Sequence, residues 1–392
     1  MAVIKDSGER NLAPPFEDEH EELRATVRRW VETEVVPQQD EWEEARGFPR
    51  ELFERAGELG FLGLKYPESL GGQGGDYLHD AVFTEEIAAA GISGGIGAGI
   101  GAHTGIATPP VWKFGTPEQQ DRFLGPAIRG EKIAALGITE PGAGSDVAGI
   151  RTYAKPVDGG YLVNGSKTFI TNGVRADFIV CAVKTTPEGG HGGISFLVLE
   201  REMEGYEVTA KLEKMGWHAS DTGELSFTDV AVPGENLLGE QNGGFRLIMA
   251  NFQWERLMMA LGALGGMRWC LDRTLAYVKE REAFGRSIGS FQAIRHKVAE
   301  MATKIEVGQA MTYNALRRFH SGDDVVREVT LAKLFTQRAA VEIADEAVQI
   351  HGGYGYMREY HVERALRDAR LGPIGGGTDE VMKEIVGRGL GL

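Results

Sequence analysis

TYAKPVDGGYLVNGSKTFIT, residues 152–171, is where the chain changes period. TYAKPV and YLVNGSKTFIT flank the turn DGG at 158–160, a signature of two antiparallel strands joined by a tight turn. Downstream, FIVCAV (178–183), ISFLVL (194–199), YEVTAKL (206–212) and ELSFTDVAV (224–232) are also strand-like and are separated by Gly and Pro. Several short strands with no helix between them predict an antiparallel sheet or barrel. Upstream the period is helical. Leu23, Val27, Trp30, Val31 and Val35 recur at steps of three and four until Pro37. A second helix after Pro49 places Leu52, Ala56 and Leu59 on one face, with Gly60 as C-cap. From about 241 the helical period returns. Ile294, Val298, Met301 and Ile305 form one stripe, and 325–350 and 379–388 read the same way, which argues for a four-helix bundle. The expectation is therefore an α+β multidomain chain: a helical domain at 1–133, a β-domain at 134–240 and a helix bundle at 241–392.

Composition narrows the function. With 42 Lys+Arg against 57 Asp+Glu, the net charge is −15. A surface this acidic repels phosphate backbones, so nucleic acid is not expected as a partner. Cys181 and Cys270 are too few for a disulfide scaffold or a cysteine metal site. No apolar run reaches the length of a membrane span. The N-terminal MAVIKDSGERNLAPP has no signal-peptide core, and a cytoplasmic location is expected. Glycine is the outlier: 55 of 392 residues, roughly twice the usual share. The segment GISGGIGAGIGAHTGI (91–106) is apolar yet nearly free of large side chains. It reads either as a flexible loop or as an element kept thin so that something can lie against it.

Several standard chemistries are missing. There is no G-x-G-x-x-G after a strand, no Walker A sequence, no H-E-x-x-H and no G-x-S-x-G, and the nine histidines form no metal-ligand pair by spacing. No metal is expected. Five blocks remain: ITEPGAGSDV (138–147), NGSKTFITNG (164–173), REAFGRSIGSFQAIRHKVAEM (281–301), AVQIHGGYGY (347–356) and IGGGTDEVMKEIVGR (374–388). Together, in this order, they resemble the acyl-CoA dehydrogenase family of flavoproteins, from about residue 20 to the C-terminus. The resemblance implies the architecture read above, with FAD held across domain and subunit joins.

It also implies roles for particular residues. Leu136, Ile138, Thr139 and Ser145 match the segment along the flavin, with Ser145 also on the substrate side. Phe169 and Thr171 match an aromatic-x-Thr pair at the ring face and edge, although FIT by itself is plain strand alternation. Arg281, Phe284 and Gln292 match positions on the pyrophosphate and adenine side, contributed by a neighbouring subunit. A guanidinium suits phosphate oxygens, but by residue type alone Arg281 in KERE reads sooner as a solvated charge. Gln349, Gly352 and Gly353 match a glycine turn that approaches the dinucleotide, and His351 between them reads as packing. Thr378 and Glu380 fall beside the same cofactor, where the family often has Gln in place of Glu380.

The implied reaction is α,β-dehydrogenation of an acyl-CoA thioester in fatty-acid β-oxidation, with α-proton removal by a carboxylate and hydride transfer to flavin N5. Many relatives carry the base directly before Gly-Thr in the C-terminal loop. Here that position is Gly376. Glu255, in NFQWERLMMALGALG (251–265), stands where a smaller branch, the long-chain and isovaleryl type, carries its base on a helix. Its apolar neighbours predict partial burial and a raised pKa. The N–H of Gly376 keeps the role of binding the thioester oxygen, Arg256 orients the loop or the substrate, and Phe252, Gln253 and Gly375 lie on the substrate side. Gly375 and Gly376 are expected to open space by the α-carbon and, with the thin segment 91–106, to favour a long or branched acyl chain. An electron-transfer flavoprotein as acceptor and a homotetramer, a dimer of dimers, complete the expectation. The alternatives are an acyl-CoA oxidase or flavin monooxygenase on the same fold, or a catalytically silent flavin or acyl-CoA binding protein.

Overall fold

A computed structural model describes residues 15–392. The N-terminal segment read above for a signal peptide therefore lies almost wholly outside the described residues. The first third is helical: α1 (Asp18–Trp30), α2 (Gln39–Glu44), α3 (Glu51–Glu58), α4 (Tyr77–Ala89), α5 (Gly94–Gly101), α6 (Thr108–Phe114), α7 (Pro117–Gln119) and α8 (Gly125–Ile128). Gly60 follows α3 at φ +79°, the left-handed conformation a C-terminal glycine supplies at no steric cost. The thin segment resolves as helix, not loop. Ser93 caps α5, and the chain runs on through a π-helical turn, Ala102–Ala107. Its glycines admit close neighbours: a Cβ at Gly99 would press on Phe48 at 2.7 Å, and one at Gly95 on the backbone N of Ser220 at 2.7 Å.

The middle of the chain is an eight-stranded sheet. Its strands are β1 (Ala134–Gly137), β2 (Tyr153–Val157), β3 (Gly160–Thr171), β4 (Phe178–Lys184), β5 (Ile194–Glu200), β6 (Tyr206–Lys211), β7 (Thr222–Pro233) and β8 (Leu237–Leu238). The order is β6-β7-β3-β2-β4-β5-β8, with β1 also on β4. The hairpin read from the sequence is present, with Val157 opposite Gly160. Most pairings are antiparallel, but β4 pairs in parallel with β1 and with Tyr153 of β2, so the sheet is mixed. One apolar cluster collects the same-facing residues of β1 to β7, which requires the sheet to curl around them. The other face, through Phe178, Val180, Phe196 and Val198, packs under Phe123, Leu124 and Ile128.

The final third contains α9 (Gly244–Glu280), a short hairpin of β9 (Glu282–Ala283) and β10 (Arg286–Ser287), then α10 (Gln292–His320), α11 (Val326–His351), α12 (Val362–Ala369) and α13 (Asp379–Gly389). At 37 residues, α9 is about 55 Å long. It starts against β5, where a Cβ on Gly244 would touch the backbone of Ser195 at 2.9 Å. It ends in the bundle core with Leu257, Leu261, Leu264 and Met267. One helix thus belongs to both the sheet and the bundle, and the site sits along it.

Candidate active site

The carboxylate picked out by sequence is buried. Glu255 is 8 % exposed, and desolvation pushes its carboxyl up to about 7 despite an opposing hydrogen bond from Asn251 and the charge of Arg256. Asn251, one turn earlier on α9, gives one N–H to Glu255 Oε1 at 2.6 Å and one to the carbonyl of Ile106 at 3.2 Å. Both donors of the amide are engaged, so one carboxylate oxygen is held and the other is left to accept a proton. The π-helical turn that supplies Ile106 also holds His103, whose Nδ1 accepts from Ala134 N at 3.0 Å while Nε2–H donates to Ala127 O at 3.0 Å. That turn therefore ties the start of β1 to the helix carrying Glu255.

The C-terminal glycine loop lies on the same stretch of α9. Gly376 and Gly377 have φ +62° and +94°. A Cβ on Gly376 would overlap Met259 Sδ, and one on Gly377 would lie 3.7 Å from Arg256 Nη2. This corrects the expectation of open space at Gly376, because Met259, one turn beyond Glu255, fills that side. Gly375 is different: a Cβ there would meet Leu371 at an ordinary 3.7 Å. Arg256 is half-buried over the ring of Phe252, 5.3 Å from its centroid, with Nε unpartnered, and Gln253 is half-buried beside it. Met258 rests on the thin segment, its Cε 3.6 Å from where a Gly101 Cβ would be.

A second surface is built on the sheet. Lys167 is fully buried and donates to Ile138 O at 3.1 Å and to Glu140 Oε1 at 2.8 Å. Glu140 accepts from Arg151 N and Thr152 N, and Thr168 N donates to Thr139 O at 2.9 Å. The loop after β1 is therefore laced to β3. Leu136, Ile138, Thr139 and Thr171 are half-buried along it, and Ser145 is exposed. A register shift between Lys167 and Ile170 puts Phe169 at φ +60° and 68 % exposed. A bulge re-aims a side chain in this way, and here it turns an aromatic face outward.

A third surface lies at one end of the bundle. Arg281 reaches over Tyr354, 5.6 Å from its centroid, and Phe284, at φ +54°, is 95 % exposed on the β9–β10 turn. Gln292 and Gln349 are exposed. Gly352 takes φ +60°, and a Cβ on either Gly352 or Gly353 would meet nothing within 4 Å. His351 is buried and stacked on Tyr277, as its packing role requires. Thr378 caps α13, accepting from Val381 N at 3.3 Å, and Glu380 is exposed in its first turn. An uncovered aromatic face, an exposed guanidinium and glycines facing open space suit a planar ring system and a diphosphate.

Sequence reading missed several groups. Asn251 was legible as an i,i+4 partner of Glu255. Lys333 and Gln337, which contact the glycine loop and α9, carry no motif. Folding also brings one ligand atom each of Glu19, His20 and His79 within 4.8 Å, a grouping that spacing alone hides. A cleft of about 510 Å³ bounded by Lys65, Glu68, Tyr77 and Trp112 includes none of the residues picked out by sequence.

Comparison with known proteins supplies the class. Family models for the N-terminal, middle and C-terminal domains of acyl-CoA dehydrogenase match residues 17–131, 135–230 and 242–391. The chain is 40% identical over 393 residues to a mitochondrial long-chain specific acyl-CoA dehydrogenase of Mus musculus, covering 98% of this chain and 89% of that protein. It is 36% identical over 377 residues to a mitochondrial isovaleryl-CoA dehydrogenase of Arabidopsis thaliana, covering 96% and 92%. A crystal structure of a probable acyl-CoA dehydrogenase from Mycobacterium abscessus superposes with a TM-score of 0.93 at 46% identity, covering 95% and 99%. Fold and relatives define a flavin-dependent oxidoreductase acting on a CH–CH bond of acyl-CoA, with FAD as its cofactor. The chain belongs to the acyl-CoA dehydrogenase family. No helix among the described residues is long and apolar enough to cross a membrane.

Proposed function

We propose that this enzyme removes the α-proton of its acyl-CoA thioester with Glu255. The observation that carries this reading is the burial of that carboxylate, poised near 7 and aimed by Asn251. A base is most effective when its pKa lies near the working pH, and burial achieves that here. Gly376, held by Met259 of the same helix, offers its N–H to the thioester oxygen, a backbone role that its lack of a side chain does not impair. Phe252, Gln253, Arg256 and Gly375 border the substrate. The half-buried Arg256 guanidinium, with a spare Nε–H beside Gly377, orients the loop or the thioester.

FAD, when bound, supplies the hydride acceptor. Leu136, Ile138, Thr139, Ser145, Phe169 and Thr171 would flank its ring system. Arg281, Phe284, Gln292, Gln349, Gly352, Gly353 and Thr378 would hold its diphosphate and adenine side. Glu380 belongs to that surface by position only, because an exposed carboxylate suits a phosphate poorly. The exposure of Phe284 and Arg281 leaves them free to serve a neighbouring subunit's cofactor, and a homotetramer is the assembly in this reading. The thin helix beside Met258 favours a long or branched acyl chain, and an electron-transfer flavoprotein is the acceptor in this reading.

The test is anaerobic mixing of the FAD-loaded enzyme with acyl-CoA esters of graded length and branching while flavin absorbance is followed. Bleaching that is fastest with long or branched esters is expected. If no ester bleaches the flavin, the silent-binder alternative replaces this reading. Rapid oxygen consumption on adding ester would favour an oxidase.

A further inference from the structure

The glycine loop is held in place by side chains that do not line the substrate. Gly375, Gly376 and Gly377 in succession give a backbone with unusual freedom, and two of the three sit at positive φ. Such a loop does not aim an N–H unless something else fixes it. That something is α11. Lys333 is fully buried, and its Nζ donates to Gly377 O at 2.6 Å. Gln337, one turn on, donates from Nε2 to Met259 O at 2.7 Å. Arg338, next to it, pairs with Asp379, a carboxylate buried just past the loop. Three neighbouring side chains of α11 thus grip the loop, the helix of Glu255 and the start of α13.

We infer that Lys333 is a positioning residue: its ammonium, locked on the Gly377 carbonyl, anchors the far end of the glycine run and so keeps the Gly376 N–H aimed at the thioester. This rests on the oxygen-binding role proposed for Gly376. The Gly375 N–H is held on Leu371 O at 2.8 Å and the Gly377 carbonyl on Lys333, so both ends of the glycine run are pinned, and with Met259 filling the space beside Gly376 the peptides between them have little room to turn. A buried lysine is an expensive way to hold a carbonyl, since burial pulls its ammonium down to about 8 against the support of Asp379. Lys333 does not approach the reacting atoms through any contact of its own. It acts by way of the backbone.

The experiment compares FAD-loaded parent, Lys333→Met, Lys333→Arg and Glu255→Gln. Lys333→Met is expected to bleach about 10²-fold more slowly, the effect of a misplaced catalytic group, with KM moved less than about threefold and flavin content unchanged. Infrared difference spectra with a carbonyl-labelled enoyl-CoA give the signature a merely structural role would not move. The thioester C=O stretch, lowered on binding to the parent, is expected to return toward its free value in Lys333→Met and to stay lowered in Lys333→Arg. A parent-like bleaching rate or an unchanged C=O stretch in Lys333→Met overturns the proposal. If Lys333→Met does not load FAD, Lys333→Gln is read in its place, and loss of FAD in both means the lysine is structural and likewise overturns it. Two controls separate the readings: a C=O stretch that is not lowered on binding to the parent overturns the oxygen-binding role of Gly376 itself, and Glu255→Gln tests the base. If it bleaches at the parent rate, the base assignment fails. If it is slow while Lys333→Met is parent-like, only the inference about Lys333 fails.

Discussion

Glu255→Gln tests the burial of the base through stability as well as rate. In the folded protein the carboxyl titrates near 7, against an ordinary value of 4.5. Between those values the folded state holds a proton that the unfolded chain releases, so this group makes the protein less stable as pH rises. The cost saturates above the folded pKa at about 3 kcal/mol, because each tenfold gain in proton affinity on folding is worth about 1.4 kcal/mol. Glutamine keeps the acceptor for Asn251 and never ionises. The variant should match the parent at about pH 4, below the unfolded pKa, and exceed it by roughly 3 kcal/mol at about pH 8. Urea unfolding of the two FAD-loaded proteins across that range measures the difference. Over the same range the parent's bleaching rate should climb through a midpoint near 7 as the base ionises, and the variant should lose at least about 10²-fold of it. A stability difference that does not change with pH would refute the desolvation argument. A Gln variant that bleaches like the parent would refute the base itself.

Three further outcomes follow from named contacts. Gly376→Ala forces a Cβ into a left-handed backbone against Met259, costing about 1–2 kcal/mol from the backbone alone, whereas Gly375→Ala should stay within about 0.5 kcal/mol; thermal unfolding of both decides. Glu85 is fully buried between Arg24 (3.3 Å), Arg268 and the Tyr313 hydroxyl (2.8 Å). Glu85→Gln takes the buried carboxylate from Arg268 and one partner from Arg24, which keeps Glu21 and Glu86, and should cost about 3 kcal/mol in denaturant unfolding. These partners hold the Glu85 carboxyl below its usual range despite desolvation, so its contribution should be full above about 4.5 and disappear as pH falls through the lower folded value. Arg281→Ala should leave unfolding unchanged, because the side chain is exposed, yet weaken FAD retention by about 10–100-fold, read as the flavin-to-protein ratio after dialysis.

The order of elements was legible in the sequence because period and punctuation are local. DGG produced the hairpin, Gly60 ended α3, and the apolar steps in 292–320 and 326–351 became bundle helices. Glu255 was legible through the family resemblance, which puts a base on this helix when position 376 lacks a carboxylate, while its neighbours Phe252, Trp254 and Leu257 pointed only to partial burial. The parallel pairing of β1 with β4 was not, since it joins strands more than 40 residues apart through a crossover that leaves no local mark. Nor was the helical state of 94–107 decided, where glycine propensity points to a loop and packing against Phe48, Trp217 and Met258 overrides it.

The site divides in the same way. The sequence by itself determined that a carboxylate is absent at 376 and present at 255. It could not say that Met259 occupies the room a side chain at 376 would need, or that Lys333 and Gln337 aim the parts. Those depend on which faces of α9 and α11 meet the C-terminal loop, a matter of long-range packing that 3.6-residue periodicity leaves free. Chemistry follows from residue identity, and aim follows from contacts between segments far apart in the chain.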